Sequence, residues 1–513
     1  MGFMDEPRPS PAWYLPRLGD LLFLVLLARI LYVGQTELLN DPGTTWHLQI
    51  GLDILDTGEL PRADPYSFTR TGEPWLSQYW LWELAAAAVY RWAGGGMAGW
   101  TALVMGAAVA IAWTYWLLYR YLIASGTGAG WAMVLVLLAA GAGGQHWLVR
   151  PHLVTLLFVF ITLQWTEQYR RAGEMKVFLL PLLFAVWANV HGGFLGGLLI
   201  VGTSVVGHLL SGPRDEFWRR RFRGLVVIAG LSAAATLVNP YGLGLHRHLW
   251  DLLSTSGVTG LIDEYQSPDF HRVEARPFEL LVLGGVVILG LSACRPGLAG
   301  LLHLVVWLHF GLQSVRHVPL AAGVLVQVLG SATRGVWASL TGGLGLKSAA
   351  AEGIIEGWTV DERVRIVPSY PLAASALVGA LALAAGGSLS RAVISAQFSE
   401  KKWPIRAVEA LNRQSSGGRI FHDLSWGGYL IFFTDPSRKV FIDDRFELYG
   451  RELVQAYRNA LAAGPVWEQL LGKYEFRYVL VSPRAPLADL LRGKDGWKVI
   501  HADATAVLLA RDP

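Results

Sequence analysis

The sequence predicts a polytopic α-helical membrane protein with a small soluble α/β domain at its C-terminus. Of its 513 residues, 53% are hydrophobic and only 16% are charged, whereas soluble domains carry about 25% charged residues. The deficit is uneven, because apolar runs near bilayer-spanning length recur as far as about residue 395. The rest of the chain alternates short strand and helix patterns. We therefore expect a transmembrane domain at 1–395 and a soluble domain at 396–513.

Eleven apolar segments are predicted to span the membrane. They are residues 19–36, 98–121, 129–146, 152–168, 176–190, 194–211, 222–239, 276–294, 297–313, 317–333 and 369–388. Basic residues concentrate before the first span, at 169–177 and at 212–223, and such connections favour the cytoplasm. This orientation puts the N-terminus inside. It puts the first loop, 37–97, and the C-terminal domain on the extracytoplasmic side.

The apolar segment 77–93 could be counted as a further span, but it contains Glu83 and Arg91 and is rich in Trp and Tyr. Counting it would also move the basic connection 169–177 outside. We therefore predict an interfacial amphipathic helix there. The first span, 19–36, is followed by no small-residue cleavage site, so we expect it to be retained rather than removed as a signal peptide.

Charge and cysteine content argue against several classes of function. The formal net charge is +4, and the basic residues cluster at the ends of apolar segments, so nucleic acid is not an expected partner. The single cysteine, Cys294, excludes an internal disulfide and a cysteine-based zinc cluster. We expect the chain to contact the lipid bilayer, and protein partners would meet it through the first loop or the C-terminal domain.

The first loop is acidic and opens with Asp41, immediately after the first span. A carboxylate at the membrane surface can serve as a general base. It can equally cap the helix predicted at 43–55. Asp64 has the same two interpretations, a second catalytic acid or a residue of the Asp64-Pro65 turn.

Other first-loop residues also have two interpretations. His47 lies on the predicted helix and could orient a phosphate or be a packed interfacial histidine. Trp46 and Trp75 belong to an aromatic series that suits either an interfacial belt or a surface on which a sugar stacks.

Several polar residues interrupt apolar runs on the same predicted side of the membrane. Arg150 and Arg316 need a carboxylate, a phosphate or water at this depth, and a guanidinium can bind a phosphate through two hydrogen bonds. His191, in WANVHGGF, could bind the same phosphate or bond to a neighbouring helix. Glu264 and Asp269 could contact an acceptor or bind a divalent cation. Their spacing is not compact enough to assign a metal.

The C-terminal domain is predicted to contain short strands and helices in a layered α/β arrangement. The strands are expected at 419–422, 439–442, 477–482, 497–501 and 505–511, and the helices near 450–462, 465–473 and 484–492. Asp443, Asp444 and Arg445 follow a predicted strand, where ligand sites tend to form in α/β domains. We expect Gly427-Gly428 to form a turn. We expect the domain to cover the membrane site or bind an acceptor rather than to be a second enzyme.

The motifs of the whole chain resemble those of a known group of membrane enzymes. They are DPxxxWHL, PRADPYSFT and PW in the first loop, then WANVHGGF, NPYG, YQSPDF and DLSWGGYL. This pattern resembles bacterial members of the GT-C superfamily, which includes protein O-mannosyltransferases and aminoarabinose transferases. The resemblance implies an inverting transfer of sugar from a polyprenyl-phosphate donor, with Asp41 as the base. It also implies that the protein lies in the bacterial inner membrane and acts in the cell envelope.

Two departures from the superfamily pattern bear on activity. Pro42 follows Asp41, where the mannosyltransferase-like members place a second acidic residue. The later lysine-proline motif of their loop is absent. The alternative is therefore a catalytically silent structural or assembly protein of an envelope complex that keeps the fold. A transporter is less favoured, because paired inverted repeats with broken helices are not evident.

Overall fold

The computed structural model describes residues 15–212, 214–254, 260, 262–292, 294–333, 336, 359, 362, 368–383, 395–414 and 417–512. Most of the connection expected at 334–366 lies outside these residues. The described chain is mainly helical up to residue 383, and a small sheet follows in the C-terminal part.

Fourteen α-helices of this first part are described. They are α1 (Leu18–Glu37), α2 (Pro42–Thr57), α3 (Trp80–Trp92), α4 (Gly96–Ala124), α5 (Ala129–Gly143), α6 (His152–Ala172), α7 (Leu180–Val190), α8 (Phe194–Leu209), α9 (Glu216–Ala235), α10 (Leu243–Ser254), α11 (Arg276–Leu291), α12 (Leu298–Gln313), α13 (Val318–Ala332) and α14 (Ser369–Leu383). Short 3₁₀ turns extend α5 at its end and precede α7, α11 and α13.

Three described helices are long and apolar enough to cross a membrane by length and composition. They are Leu18–Glu37, Gly96–Ala124 and Val315–Ala332. Further apolar helices are shorter, among them Met175–Val190, Phe194–Leu209 and Leu298–Gln313. The chain therefore has the helical character that the sequence predicts, while the number of spans stays a prediction.

Two helices of the first loop pack closely on each other. Asp41 caps α2, Pro42 starts it, and Gly58 ends it with a left-handed φ of 71°. On α3 the residues Glu83, Ala86, Ala87 and Tyr90 are buried, with the spacing of one helical face. At the crossing, a Cβ on Gly51 would lie 2.0 Å from the carbonyl oxygen of Glu83, so only glycine allows this approach.

The C-terminal part contains a four-stranded sheet of order β1-β2-β4-β3. Its strands are β1 (Arg419–His422), β2 (Phe476–Val481), β3 (Trp497–Ala502) and β4 (Val507–Arg511). β1 and β2 are parallel, while β4 is antiparallel to both β2 and β3. The helices are α15 (Ile405–Asn412), α16 (Gly427–Phe433), α17 (Phe446–Leu461), α18 (Trp467–Lys473) and α19 (Pro486–Arg492).

Two expectations for this part need correction. The segment 439–442 is not a strand of the sheet, because Val440 pairs with Ser67 of the first loop instead. The amides of Phe68 and Val440 donate to the carbonyls of Val440 and Tyr66, each over 3.0 Å.

Gly427-Gly428 is not a turn but the first two residues of α16. A Cβ on Gly428 would lie 2.1 Å from the carbonyl oxygen of Pro42, so this glycine permits close packing on α2.

The hydrophobic core runs without interruption from the membrane helices into the C-terminal part. Buried residues of one cluster include Leu22 and Trp100 of the helical part together with Trp403, Tyr429 and Leu480. The connecting segment 395–404 is also tied to the helices, since the amide of Gln397 donates to the carbonyl of Gln35 over 2.7 Å. The C-terminal part is thus packed onto the membrane helices and the first loop.

Candidate active site

Asp41 caps α2, as one of its two interpretations predicts, and it has a second partner in Arg150. Its Oδ2 accepts the amide of Gly43 over 2.8 Å, which caps α2. Its Oδ1 accepts a hydrogen bond from Arg150 Nη1 over 3.0 Å, and the carboxylate is only 4% exposed. Asp41 is therefore a helix cap that is also ion-paired with Arg150.

A second carboxyl group approaches Asp41 from the C-terminal part. Asp444 follows the segment that pairs with the first loop, and its Oδ1 accepts the indole N–H of Trp46 over 2.7 Å. Its Oδ2 and that of Asp41 each lie 3.1 Å from the position that a Cβ on Gly43 would occupy. Burial, followed by the charge of Asp41, raises the pKa of Asp444 to about 8.

A cavity of about 320 Å³ opens beside Arg150. It brings together four of the predicted site residues: Arg150, His191, Glu264 and Arg316. Its other polar lining residues, which the sequence did not single out as site residues, are Gln78, Tyr79, His146, His152, Thr155, Tyr265 and His317. Much of the remaining wall is apolar, with Leu148, Leu156, Leu195, Leu199, Leu253, Trp307 and Phe310. The cavity thus joins cationic groups to a hydrophobic wall.

His191 is held in one orientation by its neighbours. The Gly193 amide donates to its Nδ1 over 3.0 Å, and Thr155 Oγ1 lies 2.9 Å from the same atom. Trp187 in turn donates to Thr155 over 2.8 Å. We assign the ring proton to Nε2, because Nδ1 accepts the backbone amide. A Cβ on Gly193 would lie 2.5 Å from Thr155, which explains the glycine after Gly192 in this motif.

Arg316 faces the same cavity with its own acidic and aromatic partners. Its Nη1 donates to the hydroxyl of Tyr265 over 3.2 Å and lies 3.9 Å from Glu264 Oε2. Burial would raise the pKa of Glu264, but the charges of Arg150 and Arg316 outweigh it and lower that pKa. Each arginine therefore has one carboxylate partner: Asp41 for Arg150 and Glu264 for Arg316.

Asp64 lies away from this cavity. Its Oδ1 forms a 2.8 Å ion pair with Arg445, and both side chains are at most 1% exposed. Its Oδ2 accepts the amide and the hydroxyl of Ser67 over 3.0 and 2.5 Å. Because these partners occupy the carboxylate, we assign Asp64 a structural role in place of the expected catalytic one.

His47 also has an internal partner rather than a place at the cavity. Its Nδ1 lies 2.7 Å from Glu83 Oε1, and both side chains are fully buried. Burial raises the pKa of Glu83 to about 8 and lowers that of His47. Both groups are then neutral near pH 7, so we assign this pair to packing between α2 and α3 instead of to phosphate binding.

The predicted acceptor contacts are divided between several places. Trp46 and Trp75 enclose the guanidinium of Arg445, whose carbon lies 5.7 and 5.0 Å from their ring centres. Asp269 is exposed and pairs with His271 over 3.2 Å. Of this group, only Glu264 lines the cavity beside Arg150.

A second cavity of about 480 Å³ lies between the first loop, α10 and the C-terminal part. Its charged and aromatic lining residues are Arg62, Trp75, Tyr241, His248, Asp251 and Glu447. Leu252 of α10 lines both cavities. The two cavities therefore meet at one helix, and the second contains charges of both signs.

The described residues include no group of three or more His, Cys, Asp or Glu side chains arranged to hold a metal ion. Glu264 and Asp269, the two carboxylates considered for a cation, are engaged separately with Arg316 and His271.

Comparison with known proteins identifies the fold. No protein-family model matches the sequence, and no curated protein matches it. Among solved structures, the oligosaccharyltransferase of Archaeoglobus fulgidus in its apo form matches with a TM-score of 0.55 and 11% identity, covering 91% of this chain and 70% of that one. ArnT from Cupriavidus metallidurans bound to undecaprenyl phosphate matches with a TM-score of 0.50 and 14% identity, covering 96% and 97%.

A further match is the Archaeoglobus fulgidus oligosaccharyltransferase AglB in complex with an inhibitory peptide and a dolichol-phosphate, with a TM-score of 0.54 and 11% identity. It covers 90% of this chain and 69% of that one. The chain therefore has the GT-C-like fold of polytopic membrane glycosyltransferases, as the sequence motifs predict. At these identities the likeness concerns the fold alone.

Proposed function

We propose that this protein is a membrane glycosyltransferase that transfers a sugar from a polyprenyl-phosphate donor to an extracytoplasmic acceptor. The observation that carries the proposal is the convergence of Arg150, Arg316 and His191 on one cavity with an apolar wall. Guanidinium groups suit a phosphate, and the leucine-rich wall suits a polyprenyl chain. The structural relatives solved with undecaprenyl phosphate or dolichol-phosphate support the same donor class.

In the proposed reaction Asp41 accepts the proton of an acceptor hydroxyl. The acceptor oxygen then forms a bond to the anomeric carbon from the face opposite the phosphate, and the bond from that carbon to the phosphate oxygen breaks with inversion. The negative charge remains on the lipid phosphate, where Arg150 and Arg316 stabilise it. Asp41 does not line the cavity itself, but Arg150 links it to the phosphate position.

We propose that the acceptor enters through the second cavity. That cavity adjoins the donor cavity at Leu252 and is lined by Trp75, which suits stacking on a sugar, as well as by charged groups. The acceptor would then reach the donor between α10 and the C-terminal part, which forms one wall of the second cavity.

The proposed topology has eleven spans in the bacterial inner membrane, with a cytoplasmic N-terminus and a domain boundary near residue 395. The contact between the first loop and Val440 supports an odd number of spans. Two segments that touch must lie on the same side, so the chain between them crosses the membrane an even number of times.

The test is binding of undecaprenyl phosphate to the purified full-length protein in detergent, compared with a variant of each arginine. We expect Arg150→Gln and Arg316→Gln each to weaken binding about tenfold or more, since each removes a charge-assisted hydrogen bond. Arg484→Gln, on the exposed surface of the C-terminal part, is the matched control. If the wild type and the two arginine variants bind this lipid with equal affinity, the alternative of a catalytically silent assembly protein is favoured.

A further inference from the structure

Three separate parts of the chain bring charged groups to one point at the start of α2. Asp41 belongs to the first loop, Arg150 precedes α6, and Asp444 belongs to the C-terminal part. The position of a Cβ on Gly43 would lie 3.1 Å from one carboxylate oxygen of each aspartate and 3.2 Å from the guanidinium carbon of Arg150. The two Oδ2 atoms are therefore at most about 6.2 Å apart, and the guanidinium of Arg150 is hydrogen-bonded to Asp41.

The partners of the two carboxyl groups are unequal. Asp41 accepts hydrogen bonds from Arg150 and from the Gly43 amide, and Lys402 is a further cation acting on it. Within the described part of the chain, Asp444 accepts one hydrogen bond, from the neutral indole of Trp46. Arg445, the next residue, is directed to Asp443 and Asp64 instead.

Among the described contacts Arg150 is hydrogen-bonded to Asp41 and not to Asp444, so a second buried anion at Asp444 is costly. The group with fewer cationic partners takes up the proton, and here that group is Asp444. The direction of its pKa agrees, because burial and Asp41 raise it, while Arg150 lowers it and Asp443 raises it further.

We propose that Asp444 carries a proton near neutral pH, within the carboxyl pair that it forms with Asp41 around Gly43, and that this proton leaves Arg150 able to bind the donor phosphate. Asp444 is thus a positioning residue that acts through Arg150. Its ionisation would place a second anion beside the arginine, which would repel the phosphate. The effect on the donor rests on the proposed function, whereas the proton on Asp444 does not.

The packing around the pair makes it depend on the C-terminal part. Gly428 of α16 lies against the carbonyl of Pro42, and Thr45 and Trp46 line the same contact. Trp46 then donates to Asp444. The first loop alone therefore supplies only one member of the pair, and the proposed base is complete when the C-terminal part is docked.

The test measures binding of undecaprenyl phosphate to the full-length protein between about pH 7 and about pH 9, a range that brackets the titration of Asp444. We expect the wild-type affinity to fall about tenfold more than that of Asp444→Asn over this range, the effect of one pKa unit of coupling. The asparagine cannot ionise, and its amide imitates the protonated acid. Titration of the lipid phosphate is common to both proteins and cancels in the comparison.

The matched control is Asp435→Asn, which changes an exposed aspartate of the same part of the chain that is bonded to Ser437. It should keep the wild-type pH dependence. Equal pH dependence in the wild type and in Asp444→Asn would overturn the proposal.

An infrared measurement separates this proposal from the proposed function. Near neutral pH the wild type should show the absorption of a protonated carboxyl group that titrates near pH 8, and Asp444→Asn should lack it. Glu83→Gln is measured alongside, because Glu83 also carries a proton in this range. A band that disappears only in Glu83→Gln contradicts the carboxyl pair. If no lipid binds but the Asp444 band is present, the donor assignment fails and the pair stands.

Discussion

Arg445 lies at the junction of the first loop and the C-terminal part, with Asp64 on one side and Asp443 on the other. Its guanidinium is 2.8 Å from Asp64 and 2.6 Å from Asp443, and it is surrounded by the rings of Trp46, Tyr66 and Trp75 at 5.0–5.7 Å. This buried cation offsets part of the cost of burying the two carboxyl groups.

Replacing Arg445 by methionine should destabilise the protein by about 3–5 kcal/mol, because it leaves buried carboxylates without a cation. Thermal unfolding in detergent measures the change. Arg484→Met, at an exposed position, should leave the transition temperature unchanged. Equal transition temperatures for the two variants would show that the buried ion cluster does not stabilise the junction.

Glu83 makes stability depend on pH. Its folded pKa is about 8, above the ordinary value of 4.5, so the folded state binds a proton that the unfolded state releases. The contribution of this proton to the free energy of unfolding is fully present below about pH 4.5. It is lost as the pH rises towards 8 and beyond.

Glu83→Gln keeps a hydrogen-bonding side chain for Ser77 and His47 and removes this titration. We expect its transition temperature to exceed that of the wild type by an amount that grows between about pH 5 and about pH 8. Glu59→Gln, in the same loop but exposed, is the control. A constant difference across this range would contradict the assignment of a neutral Glu83.

At the scale of elements, the contact between α16 and the start of α2 determines where the C-terminal part sits. Gly428 allows the helix to approach the carbonyl of Pro42 and the ring of Trp46. The pairing of Ser67 with Val440 extends the contact through the backbone. Both contacts involve the acidic first loop, so the docked position and the proposed active site depend on each other.

Gly428→Ala should loosen this contact, since the new Cβ would meet the Pro42 carbonyl oxygen at 2.1 Å and the backbone must shift. We expect a loss of about 1–3 kcal/mol, as for other overpacked positions, and faster proteolysis in the connecting segment 395–404. Gly472→Ala, where a Cβ meets nothing within 4 Å, should resist proteolysis like the wild type. Equal cleavage of the two variants would argue against a docking role.

At the scale of the whole molecule, one continuous core joins the membrane helices to the C-terminal part. The first loop lies between them and contacts both, through Arg150 on one side and Asp444 on the other. The loop and the C-terminal part therefore face the same side of the membrane, which we propose is extracytoplasmic.

Labelling of single cysteines in intact cells tests the orientation. In a Cys294→Ser background, cysteines placed at Glu59 and at Lys494 should both react with a membrane-impermeant thiol reagent, because both positions are exposed and lie on the proposed outer side. A cysteine at Glu174, in the connection predicted to be cytoplasmic, should react only after lysis. The reverse pattern would invert the proposed topology.

Apolar run length and the basic connections, both local properties, were enough to predict a helical membrane protein with an acidic first loop and a C-terminal α/β part. The interruptions at Arg150, His191 and Arg316 also predicted residues that meet at one cavity. Only the tertiary structure could decide the partners of Asp64 and His47 and bring Asp444 to Asp41. These pairings join segments up to some 400 residues apart, and burial and charge at such contacts leave no periodic signal in the sequence.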